Sequence, residues 1–198
     1  MTKIVGITGG IGSGKTTFSN HLKKLGFLVH ESDRVVSEIY TKPKKQFLNF
    51  IKKKISRDAI NHNKINKAEI ANVIFNNNTI KRLLERRIHK EVQSSREAFI
   101  KKYIKKKKKI IFADIPLLFE NKLEKSFDLV ICIISSKKNR SKRVLKNKKF
   151  TKENLNKIFK AQTTDKERKK RSQIIINNNK TKKDFIFSVE KVLTKLIK

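Results

Sequence analysis

The chain has no tryptophan, one methionine, one cysteine, two prolines and six glycines in 198 residues. A single cysteine, Cys132, excludes any intrachain disulfide; inside the run Leu-Val-Ile-Cys-Ile-Ile it reads as a buried core thiol rather than a nucleophile. With no tryptophan and two tyrosines there is no obvious aromatic platform on which single-stranded nucleic acid would stack. No stretch approaches the ~20 consecutive apolar residues of a membrane span. The four histidines (His21, His30, His62, His89) are scattered, with none of the spacings of metal ligands. A strand-like segment begins at Lys3, with no signal peptide before it, so a cytoplasmic protein with no membrane partner is expected.

Acidic residues are also scarce: 17 Asp and Glu stand against 51 Lys and Arg, for a formal charge of +34. Such an excess fits a polyanionic partner, either nucleic acid or a phosphate-rich small molecule. It equally fits an A+T-rich genome, because Lys, Asn and Ile are enriched together while only 10 of the 51 basic residues are arginine. A selected phosphate or base reader would favour the bidentate arginine fork. The compositional reading is therefore preferred, and no specific nucleic-acid partner is expected.

The glycines that do occur are concentrated. Gly9-Gly10-Ile11-Gly12-Ser13-Gly14-Lys15-Thr16 fits the P-loop pattern G-x-x-x-x-G-K-[ST] without a mismatch. An apolar, β-branched segment (3–8) precedes it, and a helical pattern with Phe18, Leu22 and Leu25 on one face follows, ended by Gly26. Glycine lets backbone N–H groups converge on one anion, and the helix N-terminus adds positive potential at the same place. Ile11, Gly12, Ser13, Gly14, Lys15 and Thr16 are thus candidates for binding the phosphates of a nucleotide. Lys15 would reach the β- and γ-phosphates, and the Thr16 hydroxyl would ligate Mg²⁺.

Further along, residues 27–30 read as a second short strand, followed by Glu31-Ser32-Asp33-Arg34 at the strand end where ligands bind in open α/β sheets. From about 35 to 105 the pattern is helical, with 61–63 and 76–78 read as loops. Ile110-Ile111-Phe112-Ala113-Asp114 reads as a buried strand ending in a carboxylate. Beside a full P-loop this favours a Walker-B-like magnesium ligand over an aspartate that merely closes a strand. Residues 127–134 form another core strand. Between 137 and 149, eight of thirteen positions are Lys or Arg and none is acidic. Thr151 is placed to cap the next helix, 174–176 is short enough for a fifth strand, and a helix from about Lys182 to Lys198 closes the chain.

Four local patterns line up in order: Thr8 through Thr16; Asp33-Arg34; Asp114-Ile115-Pro116-Leu117-Leu118-Phe119-Glu120; and Gln162 with Arg168 before Asn178. Together, over nearly the whole chain, they resemble the dephospho-CoA kinases. The resemblance implies an α/β P-loop kinase fold with a five-stranded parallel sheet flanked by helices. It implies a core of 1–34, 106–136 and 171–198, a helical CoA-substrate insertion at 35–105 and a small lid at 137–170. The implied reaction moves the ATP γ-phosphoryl group to the 3′-hydroxyl of the dephospho-CoA ribose, with ATP and Mg²⁺, in a monomer or weak homo-oligomer.

Residue by residue, Asp33 matches the acid near the acceptor hydroxyl, as base or magnesium-shell ligand, although a helix cap is its plainer role. Arg143 stands where the family has a phosphate-binding lid arginine, and Asn178 where it has an asparagine near the adenine. Residues 116–120 match a segment bordering the acceptor site. His89 matches the family's His-Pro, but Lys90 replaces the proline, and a structural role is preferred for it. The second basic lid position is Asn147, flanked by Lys146 and Lys148. Catalysis is assigned to Lys15, Asp33 and Arg143, metal binding to Thr16 and Asp114, and nucleotide contact to residues 11–16 and Asn178. Two other readings share the P-loop: a different small-molecule or nucleoside kinase, which does not call for the 116–120 segment, and a basic nucleic-acid-binding ATPase.

Overall fold

A computed structural model of the chain describes residues 1–147 and 150–197; Lys148, beside the diverged lid position, and Lys198, the expected last residue of the closing helix, lie outside it. The chain divides into two compact units, Met1–Glu31 with Ile100–Lys198, and Ser32–Phe99.

The first unit holds β1 (Lys3–Thr8), α1 (Lys15–Lys24) and β2 (Val29–Glu31), and resumes near the end of a long helix that leads into β5. The other unit supplies α2 (Ser32–Thr41), α3 (Lys45–Lys54), β3 (Ile60–Asn61), β4 (Lys64–Ile65), α4 (Lys67–Asn76) and most of that helix, α5 (Asn78–Lys105). Then follow β5 (Ile110–Asp114), β6 (Leu129–Ile134), α6 (Lys137–Leu145), α7 (Lys152–Ala161), α8 (Asp165–Arg171), β7 (Ile174–Asn177) and α9 (Lys182–Ile197).

Five strands form one parallel sheet in the order β2-β5-β1-β6-β7. The fold class is the expected one, but β5 lies between β1 and β2. The register sets Ile7 of β1 opposite both Asp114 of β5 and Ile131 of β6. Asp114 therefore stands at the sheet end from which the chain leaves β1, the end where open α/β sheets bind ligands.

Alternation along the strands divides the core into two layers. Val5, Ile7, Phe112, Ile131 and Ile133 pack with Phe18 and Leu22 of α1 and Phe185, Val189 and Leu193 of α9. On the other face Ala113 and Val130 pack with Ile115, Leu118 and Phe119. Phe18 and Leu22 are wholly buried. At about 1.5–3 kcal/mol for each such side chain, they pin α1 to the sheet and so fix its N-terminus.

In the helical unit, Phe47, Ile51, Ala59, Ile70 and Leu84 form a separate core, with the Tyr40 ring edge-on to Phe47 at 6.0 Å. Two expectations are corrected here. Residues 61–63 are the tip of a small antiparallel hairpin, β3–β4, rather than a plain loop. His62 (φ 47°) and Asn63 (φ 61°) both take the left-handed region, as a type I′ turn requires. The loop read at 76–78 shrinks to one residue: α4 ends at Asn76, α5 begins at Asn78, and Asn77 Oδ1 accepts from Ile80 N at 3.0 Å.

Candidate active site

Gly14 opens α1 at φ 112°, with no side-chain cap and no acidic residue in the first turn. Four orphan N–H groups and the positive end of the helix dipole are thus left for an anion, and a β-carbon at that φ would be strained. It would also collide with Nδ2 of Asn178, which donates to Ser13 O at 2.7 Å. The Lys15 ammonium bends back over the loop to donate to Gly9 O at 2.8 Å. Thr16 is exposed and Ser13 is buried. Ile11 N donates to Gln162 Oε1, in the segment joining α7 to α8, at 3.0 Å.

Asp114, half-buried, accepts from Ser19 Oγ at 2.8 Å. Ser19 was not among the expected site residues. Its signal was available: a hydroxyl three residues beyond Thr16, on the apolar arc between Phe18 and Leu22. Such a bond fixes one carboxylate oxygen and aims the group along the P-loop helix.

Arginines crowd the loop from α6 and α8. Arg143 donates through Nη1 to Gly12 O (3.3 Å) and Ser135 Oγ (3.2 Å), and through Nη2 to Asn178 O (2.8 Å). Its fork ties the P-loop to the end of β7. Arg168 is 1% exposed; it pairs with Asp165 at 2.9 Å and with Glu120 at 3.5 Å. Glu120 also accepts from Thr163 N at 2.7 Å. Within the 116–120 segment, Leu118 and Phe119 are buried in the core and Glu120 holds the lid-side arginine. Asn147 is exposed, near the end of α6.

The core unit thus brings together the P-loop, Asp114, Arg143 and Asn178. Asp33, in the first turn of α2, and His89, on α5, are exposed residues of the helical unit. Among the described residues no cluster of three or more His, Cys, Asp or Glu could hold a metal, and no helix is long and apolar enough to cross a membrane.

Comparison with known proteins fits this geometry. The family model described as dephospho-CoA kinase matches residues 3–184. The chain belongs to the dephospho-CoA kinase family. A dephospho-CoA kinase of Fusobacterium nucleatum is 32% identical over 192 residues, covering 95% of each chain, and one of Bartonella quintana is 29% identical over 99% of each. The solved dephospho-CoA kinase of Campylobacter jejuni superposes with a TM-score of 0.75 at 24% identity, over 99% of this chain and 98% of its own, which shows the shared fold. As a member of this family the chain is a kinase that draws its phosphate from ATP.

Proposed function

We propose that this kinase transfers the ATP γ-phosphate to the 3′-hydroxyl of the dephospho-CoA ribose, completing coenzyme A in the cytoplasm. What carries the reading is the uncapped P-loop helix enclosed by Arg143, Gln162 and Asn178, in a chain matched by the family from residue 3 to 184. Phosphoryl transfer requires little covalent chemistry; it requires in-line positioning and fixed positive charge around the transferred oxygens.

The loop of residues 11–16, with the amides at the start of its helix, cradles the β- and γ-phosphates, and Lys15 leaves Gly9 O to reach them. Arg143 adds its charge while holding the loop, and Asn178 borders the nucleotide. Asp33 takes or orients the proton of the attacking hydroxyl. Thr16 and Asp114 fit a magnesium site, because Mg²⁺ uses one or two carboxylates together with phosphate oxygens and water. When bound, the ion would neutralise charge on the phosphates.

We assign 35–105 to acceptor binding and 137–170 to a lid. Within the helical unit, Val35, Ile39 and Phe47 floor a cleft of about 250 Å³ whose rim carries Lys42 and Lys44 beside Glu38 and Glu91, and the apolar floor suits part of a CoA-like molecule. The protein acts as a monomer or weak homo-oligomer, without a specific nucleic-acid partner. A coupled assay with ATP and dephospho-CoA tests the reading: ADP release must depend on dephospho-CoA, and turnover with a nucleoside but not with dephospho-CoA would replace it with the other small-molecule kinase reading.

A further inference from the structure

One guanidinium at the P-loop belongs to no position marked out by the sequence patterns. Arg140 lies on α6, one turn before Arg143, and is only 9% exposed. Its Nη2 donates to Asp165 Oδ2 at 3.2 Å, the Phe159 ring centroid lies 4.9 Å from Cζ, and Nε is buried without a hydrogen-bond partner among the described residues. Nη1 lies against Gly10, so close that a β-carbon there would collide with it. The same β-carbon would stand 3.0 Å from Nη1 of Arg168. Gly10 does not have a positive φ, so it is this close approach that calls for glycine.

Two guanidiniums, each at least nine-tenths buried, thus converge on one point of the P-loop. Asp165 pairs with both, and Glu120 reaches Arg168 at 3.5 Å. Burial draws the Arg140 guanidinium below its ordinary range, with Asp165 opposing the shift and Arg168 adding to it. An anion entering between the two forks would relieve that repulsion, and a phosphate accepts both bidentately. Arg143, by contrast, already directs both terminal nitrogens to protein oxygens.

We propose that Arg140, with Arg168 beside it, grips the terminal phosphate of ATP, and that Asp165 holds both forks aimed at Gly10 before the nucleotide arrives. This rests on the kinase reading above, and it gives the phosphate-gripping role on α6 to Arg140, leaving Arg143 to hold the loop.

The test compares binding of ADP and of a non-hydrolysable ATP analogue to the whole protein by calorimetry, for wild type, Arg140→Gln and Arg140→Lys. Arg140→Lys keeps a charge for Asp165 and so protects the fold if the glutamine variant is unstable. The expected result is that Arg140→Gln lowers the preference for the ATP analogue over ADP by about 10- to 100-fold, the scale of one hydrogen bond to a charged group. ADP affinity should stay as in wild type, and Arg140→Lys should fall between. A strut that only joins α6 to α8 would change both affinities together or neither. Retention of the wild-type preference by both variants overturns the proposal. Because the readout is nucleotide binding, it stands apart from the acceptor assay: a wild type that discriminates the two nucleotides but leaves dephospho-CoA untouched refutes the acceptor and not Arg140.

Discussion

Replacing Gly14 by alanine tests whether the P-loop is held in shape by the close fit between its glycine and Asn178. The residue sits at φ 112°, where a β-carbon costs about 1–2 kcal/mol in the left-handed region. The new methyl also meets Asn178 Nδ2, which is buried and donates to Ser13 O at 2.7 Å. Displacing that amide leaves a buried carbonyl unsatisfied, at about 1–3 kcal/mol. The total is about 2–5 kcal/mol, or roughly 4–20 °C in melting temperature for a chain of this length. Urea and thermal melts followed by circular dichroism measure it, in a cycle with Asn178→Ala. If the collision supplies half the effect, the double variant is more stable than the sum of the single losses by about 1 kcal/mol or more, above the ~0.3–0.5 kcal/mol scatter of independent sites. Strict additivity, or a Gly14→Ala protein within about 0.5 kcal/mol of wild type, refutes the reasoning.

Lys15→Ala should abolish phosphoryl transfer while costing only about 1 kcal/mol of stability, since its ammonium makes a half-exposed bond to Gly9 O; turnover near wild type would remove Lys15 from the site. Asp33→Asn should lower kcat by about 10²–10⁴-fold with ATP binding retained, whereas Asp114→Asn should raise the Mg²⁺ needed for half-maximal rate and be partly rescued by excess metal. A magnesium titration of both at saturating substrates decides, and rescue of Asp33→Asn alone reverses the two roles. The Cys132 thiol, wholly buried in β6, is pushed up to about 11 by burial, with Arg168 opposing. The folded protein keeps its thiol proton where the unfolded chain has begun to lose it, so stability falls as pH rises from about 9 to 11, and iodoacetamide should label Cys132 only on unfolding.

The P-loop could be read from the sequence because its signal is local: a strand, a glycine-rich turn and a helix, all within residues 3–25. The position of Asp114 at the end of β5 was legible for the same reason, a carboxylate closing an apolar run. The β3–β4 hairpin was missed because His62-Asn63 reaches the left-handed region without the Asn-Gly signature, on strands only two residues long. Arg140 was missed for a different reason. It lies in a stretch where eight of thirteen residues are basic, and nothing local separates it from its neighbours. What distinguishes it is long-range: Gly10, 130 positions earlier in the chain, and Asp165, brought to the same place by the fold.

That contrast also locates the meaning of the +34 charge. Lysines outnumber arginines about four to one in the chain, yet among the described residues the buried charged side chains are Arg96, Arg140 and Arg168, with no lysine. A drift toward lysine is tolerated where water solvates the ammonium; it halts where a buried cation must satisfy several acceptors from one planar fork. The charge excess is then a surface property, and the site keeps a separate arrangement of its own. Arg168→Lys and Arg34→Lys, equal in charge, separate the two regimes. Arg34 is exposed and meets Glu38 only through a 3.6 Å surface pair, so its replacement should shift stability by less than about 0.5 kcal/mol. Arg168 serves Asp165 from one nitrogen and Glu120 from another, 1% exposed, and a single ammonium cannot reach both. One half-buried carboxylate loses one of its charge-assisted hydrogen bonds, which should cost about 1–3 kcal/mol in a denaturant melt. Equal effects of the two substitutions would mean that lysine can replace arginine inside the site as freely as on the surface.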